Sequence, residues 1–466
     1  MVNSVRKRVA VIGGGIAGLA AAVRLRDLTP PGTEIVVYEQ SPAPGGKLRT
    51  GELDDTQVER GAESFLMAGP GGDSAAVALV RRLGLADDLI HPAAVPAALA
   101  FGGRFAAVPR GTLVGVPGDL SALGEVAHTD PSLDRDEGRP LLAENADVAV
   151  GELVRARYGD EVVDRLVDPM LGGVYAGRAD RLSLEVTLPQ LARTARMEHT
   201  LQAAVRAAQA TARRPGGPIF GALAGGMSRL VDAAARAGGA ELRLGLPVRE
   251  LTRTARGWRL VFGPVPAPQI DEVDAVVLAV PAAPAARLLT AEAPAAAGAV
   301  AELDYASVAL AGLALPPGTE LPELSGFLVP PSEGTLVKAA TFFSRKWGRP
   351  AGEPVLVRAS LGRAGEQERL QFDDAELLTI ARRELSTLIG RELPAPVASW
   401  IQRWGGGLPQ YAPGHRDRMA SARAALPGGL ALAGAAFDGV GIPACIASGE
   451  RAAEDVSKIL EGGDTA

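Results

Sequence analysis

Hydrophobic positions near the start of the chain follow the spacing of a strand, a helix and a second strand. An apolar run occupies residues 8–12, and after three glycines residues 16–28 show helical spacing until the Thr-Pro-Pro-Gly segment 29–32 ends the pattern. A second apolar run at 34–39 follows. This order predicts that the chain opens inside a parallel sheet of the nucleotide-binding type.

The hydrophobic pattern then changes from helical to β-rich. Residues 113–213 predict a mostly helical subdomain, interrupted at 129–139 by a polar run that we expect to form an exposed loop. Alternating segments within 305–400 predict a second, mainly antiparallel sheet with a helix at 373–389. β-rich runs are predicted at 243–280, and the last of them, DAVVLAVPA, is expected to return to the first sheet. A strand at 429–434 and a helix at 442–460 are also predicted.

The predicted fold class is α/β with three parts. A Rossmann-like dinucleotide-binding domain has the parallel sheet, a second domain has a mixed or antiparallel sheet, and a helical subdomain completes the fold. The predicted boundaries are 1–66, 215–290 and 400–466 for the dinucleotide-binding domain, 67–112 and 291–399 for the second domain, and 113–214 for the helical subdomain.

Composition narrows the function classes. The 466 residues include 48 Lys and Arg against 54 Asp and Glu, a formal net charge of −6, which argues against a nucleic-acid binder. Cys445 is the only cysteine, so a disulfide framework and a thiolate metal cluster are excluded, and a reducing, cytoplasmic setting is expected. No run of 18 apolar residues predicts a membrane-spanning helix, although peripheral membrane contact stays open.

Several reactive side chains receive structural interpretations. The four histidines lack metal-ligand spacing, so no metal site is predicted, and His415 is expected to order a loop. Cys445 is expected to be a small buried hydrophobe. Asp160, Asp164 and Asp168 share a helix face that is expected to be solvated. No G-x-S-x-G or P-loop pattern occurs, so hydrolysis and phosphoryl transfer are unsupported.

The turn between the first strand and the first helix carries a G-x-G-x-x-G pattern. Gly13 permits a tight turn, Gly15 allows close approach of a pyrophosphate, and Gly18 allows helix and strand to pack. Glu39 follows about 20 residues later at a strand end, where an acid binds ribose hydroxyls. The predicted dinucleotide contacts are Gly13, Gly14, Gly15, Ile16, Ala17, Gly18, Glu39 and Gln40.

A second glycine pair indicates which dinucleotide is bound. Gly45 and Gly46, followed by Lys47 and Arg49, resemble the GG motif of the large flavoprotein family that includes amine oxidases, phytoene desaturases and protoporphyrinogen oxidases. Their amides and basic side chains suit a second approach to the pyrophosphate or the flavin edge. The resemblance implies FAD as the cofactor.

Five further segments narrow the resemblance and span nearly the whole chain. They are RGAESF at 60–65, VDPMLGGVYAGRADRLSL at 167–184, PIFGALAGGMSRL at 218–230, WGGGLPQYAPGH at 404–415 and LALAGAAFDGVGIPACIASGERAA at 430–453. In this order they are similar to segments of the bacterial oxidases of protoporphyrinogen or coproporphyrinogen. The FAD contacts that this similarity implies are Lys47, Gly61, Ala62, Glu63, Ser64, Val248, Trp404, Val440, Gly441 and Ile442.

The same resemblance implies a substrate wall and one polar candidate. The wall residues are Gly173, Val174, Tyr175 and Ala176, where a segment with little side-chain bulk suits a flat macrocycle. Close helix packing is the alternative explanation of these glycines. Glu63 is the one candidate for a polar catalytic role. At 439–443, glycines and a proline at a helix start would leave amides free to stabilise negative charge on a reduced flavin, or would only close a turn.

The implied activity is FAD-dependent oxidation of coproporphyrinogen III to coproporphyrin III by dioxygen. The family passes six electrons in three flavin turnovers with release of hydrogen peroxide, in haem biosynthesis, and transient contact with a ferrochelatase is possible. Alternatives are protoporphyrinogen IX oxidation, a flavin amine oxidase or carotenoid desaturase, and a non-catalytic porphyrin-binding protein. Where many relatives carry basic residues after RGAESF, this chain reads LMAGPGG, so a propionate partner is sought among Arg81, Arg104, Arg178 and Arg345.

Overall fold

The computed structural model describes residues 7–69, 71–212, 217–349 and 352–462. A five-stranded parallel sheet forms the first layer, as predicted. Its strands, in spatial order, are Glu241–Leu244, Glu34–Glu39, Arg8–Ile12, Ala275–Leu278 and Leu430–Leu432. The predicted strands at 8–12 and 34–39 and the helix Ile16–Leu28 are confirmed residue for residue.

Both faces of the parallel sheet are covered, which explains the apolar runs of all its strands except the edge strand Glu241–Leu244. Val9 and Val11 pack on one face against helices, and Ala10 and Ile12 pack on the other face. The helices of the first face are Ile16–Leu28, Ser228–Gly238 and Ile442–Gly462. The second face is covered by helices Ala282–Leu289 and Pro294–Ala301 and by an antiparallel sheet of Val248–Arg253, Trp258–Phe262 and Gln269–Val273.

A seven-stranded mixed sheet forms the second layer. In spatial order its strands are Arg104–Ala107, Ala97–Phe101, Gly326–Leu328, Val337–Phe342, Val355–Leu361, Asp304–Leu315 and Ala398–Gln410. Only Ala97–Phe101 and Gly326–Leu328 pair in parallel, so the prediction of a mainly antiparallel sheet is confirmed. Helix Asp374–Ile389 packs on one face through Leu377, Ala381 and Leu385.

A helical subdomain packs against the opposite face of this sheet. Its helices are Val150–Tyr158, Asp160–Val162, Asp168–Tyr175, Leu184–Thr187, Pro189–Ala195 and Leu201–Ala212, with a π-helical segment at Val163–Val167. The prediction of helix from residue 113 onward is wrong for 113–149, which forms short strands, turns and 3-10 segments. The predicted exposed loop at 129–139 is confirmed except at Asp134, which is buried and accepts from the amides of Leu201 and Gln202. The predicted solvated face is wrong for Asp168, which is buried and accepts from the amide of Ala179, whereas Asp160 is exposed.

Short elements connect these layers. Small sheets are formed by Thr50–Leu53 with Thr56–Glu59, by Phe65–Leu66, Phe220–Leu223 and Leu89–Ile90, by Ala68–Gly69 with Gly72–Asp73, and by Thr112–Leu113 with Val116–Pro117. The remaining helices are Ala75–Arg82, Phe343–Lys346, His415–Ala424 and Ala435–Asp438, with 3-10 turns at Ala86–Asp88, Leu120–Leu123, Pro131–Leu133, Pro331–Glu333 and Gln367–Leu370. Within the described ranges, no helix combines the length and apolarity needed to cross a membrane. The predicted boundary near 214 lies outside the described residues.

Candidate flavin and substrate site

The first glycine turn combines two tight contacts with one open position. Gly13 has a φ of +112°, and a Cβ there would lie 2.3 Å from the carbonyl oxygen of Ala279. A Cβ at Gly18 would lie 1.9 Å from the carbonyl oxygen of Gly13. By contrast, a Cβ at Gly15 would meet no atom within 4 Å. Gly13 and Gly18 therefore let the chain pack on itself, while Gly15 faces space that a phosphate group can enter.

The acid predicted at the strand end lies beside this turn. One oxygen of the buried Glu39 carboxylate accepts a hydrogen bond of 2.7 Å from the amide of Gly14, and the other accepts one of 2.8 Å from the amide of Ser41. The amide of Leu246 donates to the carbonyl oxygen of Glu39 at 3.0 Å, which brings the strand that begins at Val248 next to the same strand end. Gln40, which follows, is exposed.

The second glycine pair packs directly on the first turn. The amide of Gly45 donates to the carbonyl oxygen of Gly14 at 2.8 Å, and Gly45 and Gly15 form an isolated parallel bridge. Lys47 follows this pair. Its side chain is accessible to solvent, yet the many protein atoms around it desolvate the ammonium group and lower its pKa. That combination is expected of a cation that lines a deep cleft. The two glycine motifs therefore form one cradle.

The RGAESF segment and Trp404 join the cradle from the other side. The amide of Ala62 donates to the carbonyl oxygen of Lys47 at 2.9 Å, and a Cβ at Gly61 would lie 2.0 Å from that same oxygen. The indole nitrogen of Trp404 donates to the carbonyl oxygen of Arg60 at 2.8 Å. The structure therefore brings the predicted contacts Lys47, Gly61 and Ala62 next to Trp404, which comes from a distant part of the chain.

The C-terminal helix crosses the first helix beside the cradle. A Cβ at Gly449 would lie 2.0 Å from the carbonyl oxygen of Ala17, so the two helices touch through backbone. Ile16, Ala17 and Ile442 belong to one core cluster on this face of the parallel sheet. Cys445 is buried there, and burial raises its pKa to about 12, in line with the predicted small buried hydrophobe.

The cradle fits a dinucleotide. Gly15 caps helix Ile16–Leu28 without any side-chain hydrogen bond, so the first-turn amides face the open space in front of Gly15. Glu39 offers acceptors to ribose hydroxyls at the neighbouring strand end. Within the described part of the chain, no cluster of His, Cys, Asp or Glu could hold a metal ion.

The predicted substrate wall is the last turn of helix Asp168–Tyr175, which we call the wall helix. Gly173 and Val174 are exposed, and 49% of the surface of Val174 is accessible. Ala176 ends the helix in the left-handed region with a φ of +52°, and its amide donates to the carbonyl oxygen of Gly172 at 2.9 Å. Tyr175 instead turns inward against the ring of Tyr411.

Backbone hydrogen bonds from other elements hold this last turn. The side-chain amide of Gln410 donates to the carbonyl oxygen of Tyr175 at 2.8 Å, and the backbone amide of Ala364 donates to that of Ala176 at 2.7 Å. The ammonium group of Lys338 donates to that of Gly172 at 3.1 Å. The strained turn is thus held by two strands of the seven-stranded sheet and by the loop that follows strand Val355–Leu361.

Glu63 lies in a buried charge network. One carboxylate oxygen accepts from Arg358 at 2.6 Å, and the other accepts from the indole of Trp347 at 2.9 Å and lies 2.8 Å from the ammonium of Lys346. Burial by itself would raise the pKa of Glu63, but the charges of Arg358 and Lys346 outweigh it and lower that pKa. The carboxylate is therefore ionised at neutral pH, and both of its oxygens are occupied by donors.

The sequence interpretation missed Arg358, Lys346 and Lys338. Two of them interrupt apolar strand runs, Lys338 in TLVKAATFF and Arg358 in VLVRASL. A charge inside an apolar strand is rarely buried unless it is paired, so these positions carried a usable signal. Their partners come from segments more than 160 residues away and could not be named.

The four arginines considered for propionate binding already have acidic partners. Arg81 pairs with Asp73 and Arg104 with Glu125 at exposed positions. The remaining pairs are Arg345 with Glu323 at 2.7 Å and Arg178 with Asp168 at 2.8 Å. The structure does not single out any of the four.

His415 is buried at the start of a helix and packs on the ring of Tyr411, with 4.8 Å between ring centres. Burial and the neighbouring charge of Arg418 lower its pKa to about 4, so the side chain is neutral at pH 7. This setting agrees with a structural role.

Comparison with known proteins now identifies the family. The profile of the flavin containing amine oxidoreductases matches residues 16–457. The chain belongs to this family. FAD is therefore its cofactor, and the protein is a flavin oxidoreductase.

Full-length relatives are similar to this flavoenzyme. A coproporphyrinogen III oxidase of Mycobacterium tuberculosis is 38% identical over 462 residues, covering 97% of each chain. A coproporphyrinogen III oxidase of Bacillus subtilis is 30% identical, covering 98% of this chain and 99% of its own. A crystal structure from Exiguobacterium, named as a candidate protoporphyrinogen oxidase, has a TM-score of 0.84 at 28% identity, covering 97% and 99%.

Proposed function

We propose that this flavoenzyme oxidises coproporphyrinogen III to coproporphyrin III with dioxygen in haem biosynthesis. The balanced reaction consumes three O₂ and releases three H₂O₂ for each porphyrin, because six electrons leave the macrocycle in three pairs. The observation that carries the proposal is the full-length similarity to proteins named coproporphyrinogen III oxidase. A cytoplasmic location and transient transfer of product to a ferrochelatase remain predictions.

The geometry of the chain suits this chemistry. Bound FAD supplies the two-electron oxidation and its own reoxidation by dioxygen. The exposed Gly173 and Val174 present a nearly flat wall of backbone and one small side chain, against which a flat macrocycle can lie. We propose that the protein acts chiefly by holding the macrocycle in a reactive orientation.

We assign Glu63 a positioning role. Its carboxylate holds Arg358, which also donates to the carbonyl oxygens of Glu59 and Gly61 at 3.0 and 3.2 Å. The network thereby ties the seven-stranded sheet to the segment that carries Gly61 and Ala62. An ionised carboxylate with both oxygens engaged is a poor proton acceptor, which favours positioning over direct catalysis.

The deciding experiment compares the two porphyrinogens. Purified, FAD-loaded enzyme is assayed aerobically with coproporphyrinogen III and protoporphyrinogen IX, following porphyrin fluorescence, oxygen uptake and peroxide. We expect a higher kcat/KM for coproporphyrinogen III and a peroxide-to-porphyrin ratio of three. Preference for protoporphyrinogen IX would move the enzyme to the later substrate, and no turnover above the spontaneous rate would favour a porphyrin-binding protein.

A further inference from the structure

Lys338 lies between the seven-stranded sheet and the wall helix, and only 5% of it is exposed. Its ammonium group donates to the carbonyl oxygen of Gly172 in the last turn of that helix at 3.1 Å. A lysine is seldom buried to this extent, because removing its charge from water is costly. A neutral donor such as glutamine could make the same bond without that cost, so the choice of lysine requires a reason.

The strand that carries Lys338 is irregular at this position. Val337 pairs with Leu361 and Ala339 pairs with Ser360, so Lys338 is an extra residue with no partner across the strand pair. Such a β-bulge re-aims a side chain relative to the regular alternation. Here the re-aimed side chain reaches the wall helix.

The hydrogen bond from Lys338 acts on the turn that ends the wall helix. The carbonyl oxygen of Gly172 also accepts the amide of Ala176, the residue with left-handed backbone that ends the helix. A cation at a helix C-terminus interacts favourably with the exposed carbonyl groups and the helix dipole. The exposed Gly173 and Val174 lie within this same turn.

We propose that Lys338 is a positioning residue that holds the last turn of the wall helix in its substrate-binding position. The strength of this hold depends on whether the side-chain amine of Lys338 is protonated. The identity of the substrate in this inference rests on the proposed function, whereas the hold on the wall does not. The protonated ammonium makes a charge-assisted bond to Gly172, and the neutral amine makes a weaker one.

Burial, aided by charged neighbours, lowers the pKa of Lys338 towards neutral pH. Burial, followed by the charges of Arg363 and Arg358, lowers the pKa of Lys338 to about 7. Arg363 lines a small cavity with Lys338 and with Asp168 of the wall helix. The charged groups that contact Asp168, Arg363 or the strand of Lys338 have partners of their own. They are Arg178 with Asp168, Glu366 with Arg363, Arg358 with Glu63, and Glu384, which accepts from the amide of Val337.

The first test measures KM and kcat for coproporphyrinogen III between pH 6 and pH 8.5. In the wild type we expect KM to rise by about fivefold across pH 7, which corresponds to a loss of about 1 kcal/mol. Lys338→Gln donates the same bond without a charge, so its KM is expected to be high and flat with pH, with kcat within about twofold of wild type. Arg391→Gln, which breaks an exposed ion pair with Glu320, is the control and is expected to keep the wild-type profile.

A second test needs no substrate. Hydrogen exchange of the 168–177 segment is followed in FAD-loaded wild type, Lys338→Gln and Lys338→Met, corrected for the intrinsic pH dependence of exchange. We expect wild-type protection to fall by about fivefold from pH 6 to pH 8, and Lys338→Met to show low protection throughout, with the helix at 16–28 unchanged. If no porphyrinogen were oxidised, the proposed function would fail while this test still decided the role of Lys338.

Thermal unfolding separates positioning from plain structural support. Lys338→Met removes a buried charge, so we expect its Tm at pH 6 to equal or exceed that of the wild type. A lower Tm together with unchanged exchange of 168–177 would overturn the proposal. So would a Lys338→Gln enzyme that kept the wild-type rise of KM with pH.

Discussion

The flavin cradle and the substrate wall achieve precision in different ways. The cradle is backbone packed on backbone, since Gly13, Gly18 and Gly449 each leave no room for a Cβ. The wall is held by side chains of a different layer, through Lys338 and Gln410. The backbone contacts of the cradle tolerate no added atom but need no charge, whereas the wall depends in part on the buried charge of Lys338.

The largest effect, on cofactor binding and stability together, is expected in the cradle, from Gly18→Ala. Its Cβ would lie 1.9 Å from the carbonyl oxygen of Gly13, so the turn must move, and we expect loss of most bound FAD and of about 3 kcal/mol of stability. Gly15→Ala is the matched control, because its Cβ meets nothing within 4 Å. The control is expected to keep its stability and to bind FAD more weakly. Flavin content and thermal unfolding report both, and equal behaviour of the two variants would contradict the described packing.

A similar loss of stability is expected for the charge network, from Glu63→Gln. Removing the buried carboxylate leaves the partly buried Arg358 and Lys346 without their counter-charge, which costs up to about 3 kcal/mol. Since the folded pKa of Glu63 is lowered, its contribution is present above the unfolded value of about 4.5 and is lost as pH falls through the folded value. Chemical denaturation at pH 7 measures the loss.

The control for that experiment is Glu323→Gln. It breaks an ion pair of the same type with Arg345 at the surface, where the expected cost is about 0 to 1 kcal/mol. A loss at Glu63 as small as that at Glu323 would show that the buried network adds no more than an exposed pair.

A loss of stability that depends on pH is expected from His415. Its folded pKa of about 4 lies below the usual value of about 6.5, so the unfolded chain binds a proton between these values while the folded chain does not. Stability therefore falls by about 3 kcal/mol as pH drops from 6.5 to 4, and His415→Gln should remove that part of the slope. His128→Gln, at an exposed site, should not, as thermal midpoints across this pH range would reveal.

The smallest effect on stability is expected at the wall surface. Val174 is half exposed, so Val174→Ala should change stability by less than about 0.5 kcal/mol. If the macrocycle lies on this turn, Val174→Asp should raise KM for coproporphyrinogen III several-fold by repulsion of its propionates, with the flavin spectrum unchanged. Val397→Asp, at another exposed valine, is the control. An unchanged KM for Val174→Asp would move the macrocycle off this turn.

The sequence by itself determined the parallel sheet, the glycine cradle and the flavin family. These depend on local rules, since apolar runs of strand and helix length and glycines at fixed spacing dictate the backbone over a few residues. Gly13, Gly15, Gly18 and Glu39 lie together as their spacing predicts. The solvated face predicted for Asp168 was wrong, and Asp134 is buried in a loop that is otherwise exposed as predicted, because local polarity does not reveal an amide elsewhere in the chain that needs an acceptor.

Only the tertiary structure decided the partners of Glu63 and the hold on the wall helix. Arg358 lies 295 residues from Glu63 in the chain, and Lys338 lies 166 residues from Gly172. Both basic residues lie on neighbouring strands of a sheet whose strand order no local pattern encodes. The bulge at Lys338 likewise arises from the register of two paired strands. A buried charge is compensated by whatever the fold brings within about 3 Å of it, and that neighbour is a property of the folded chain alone.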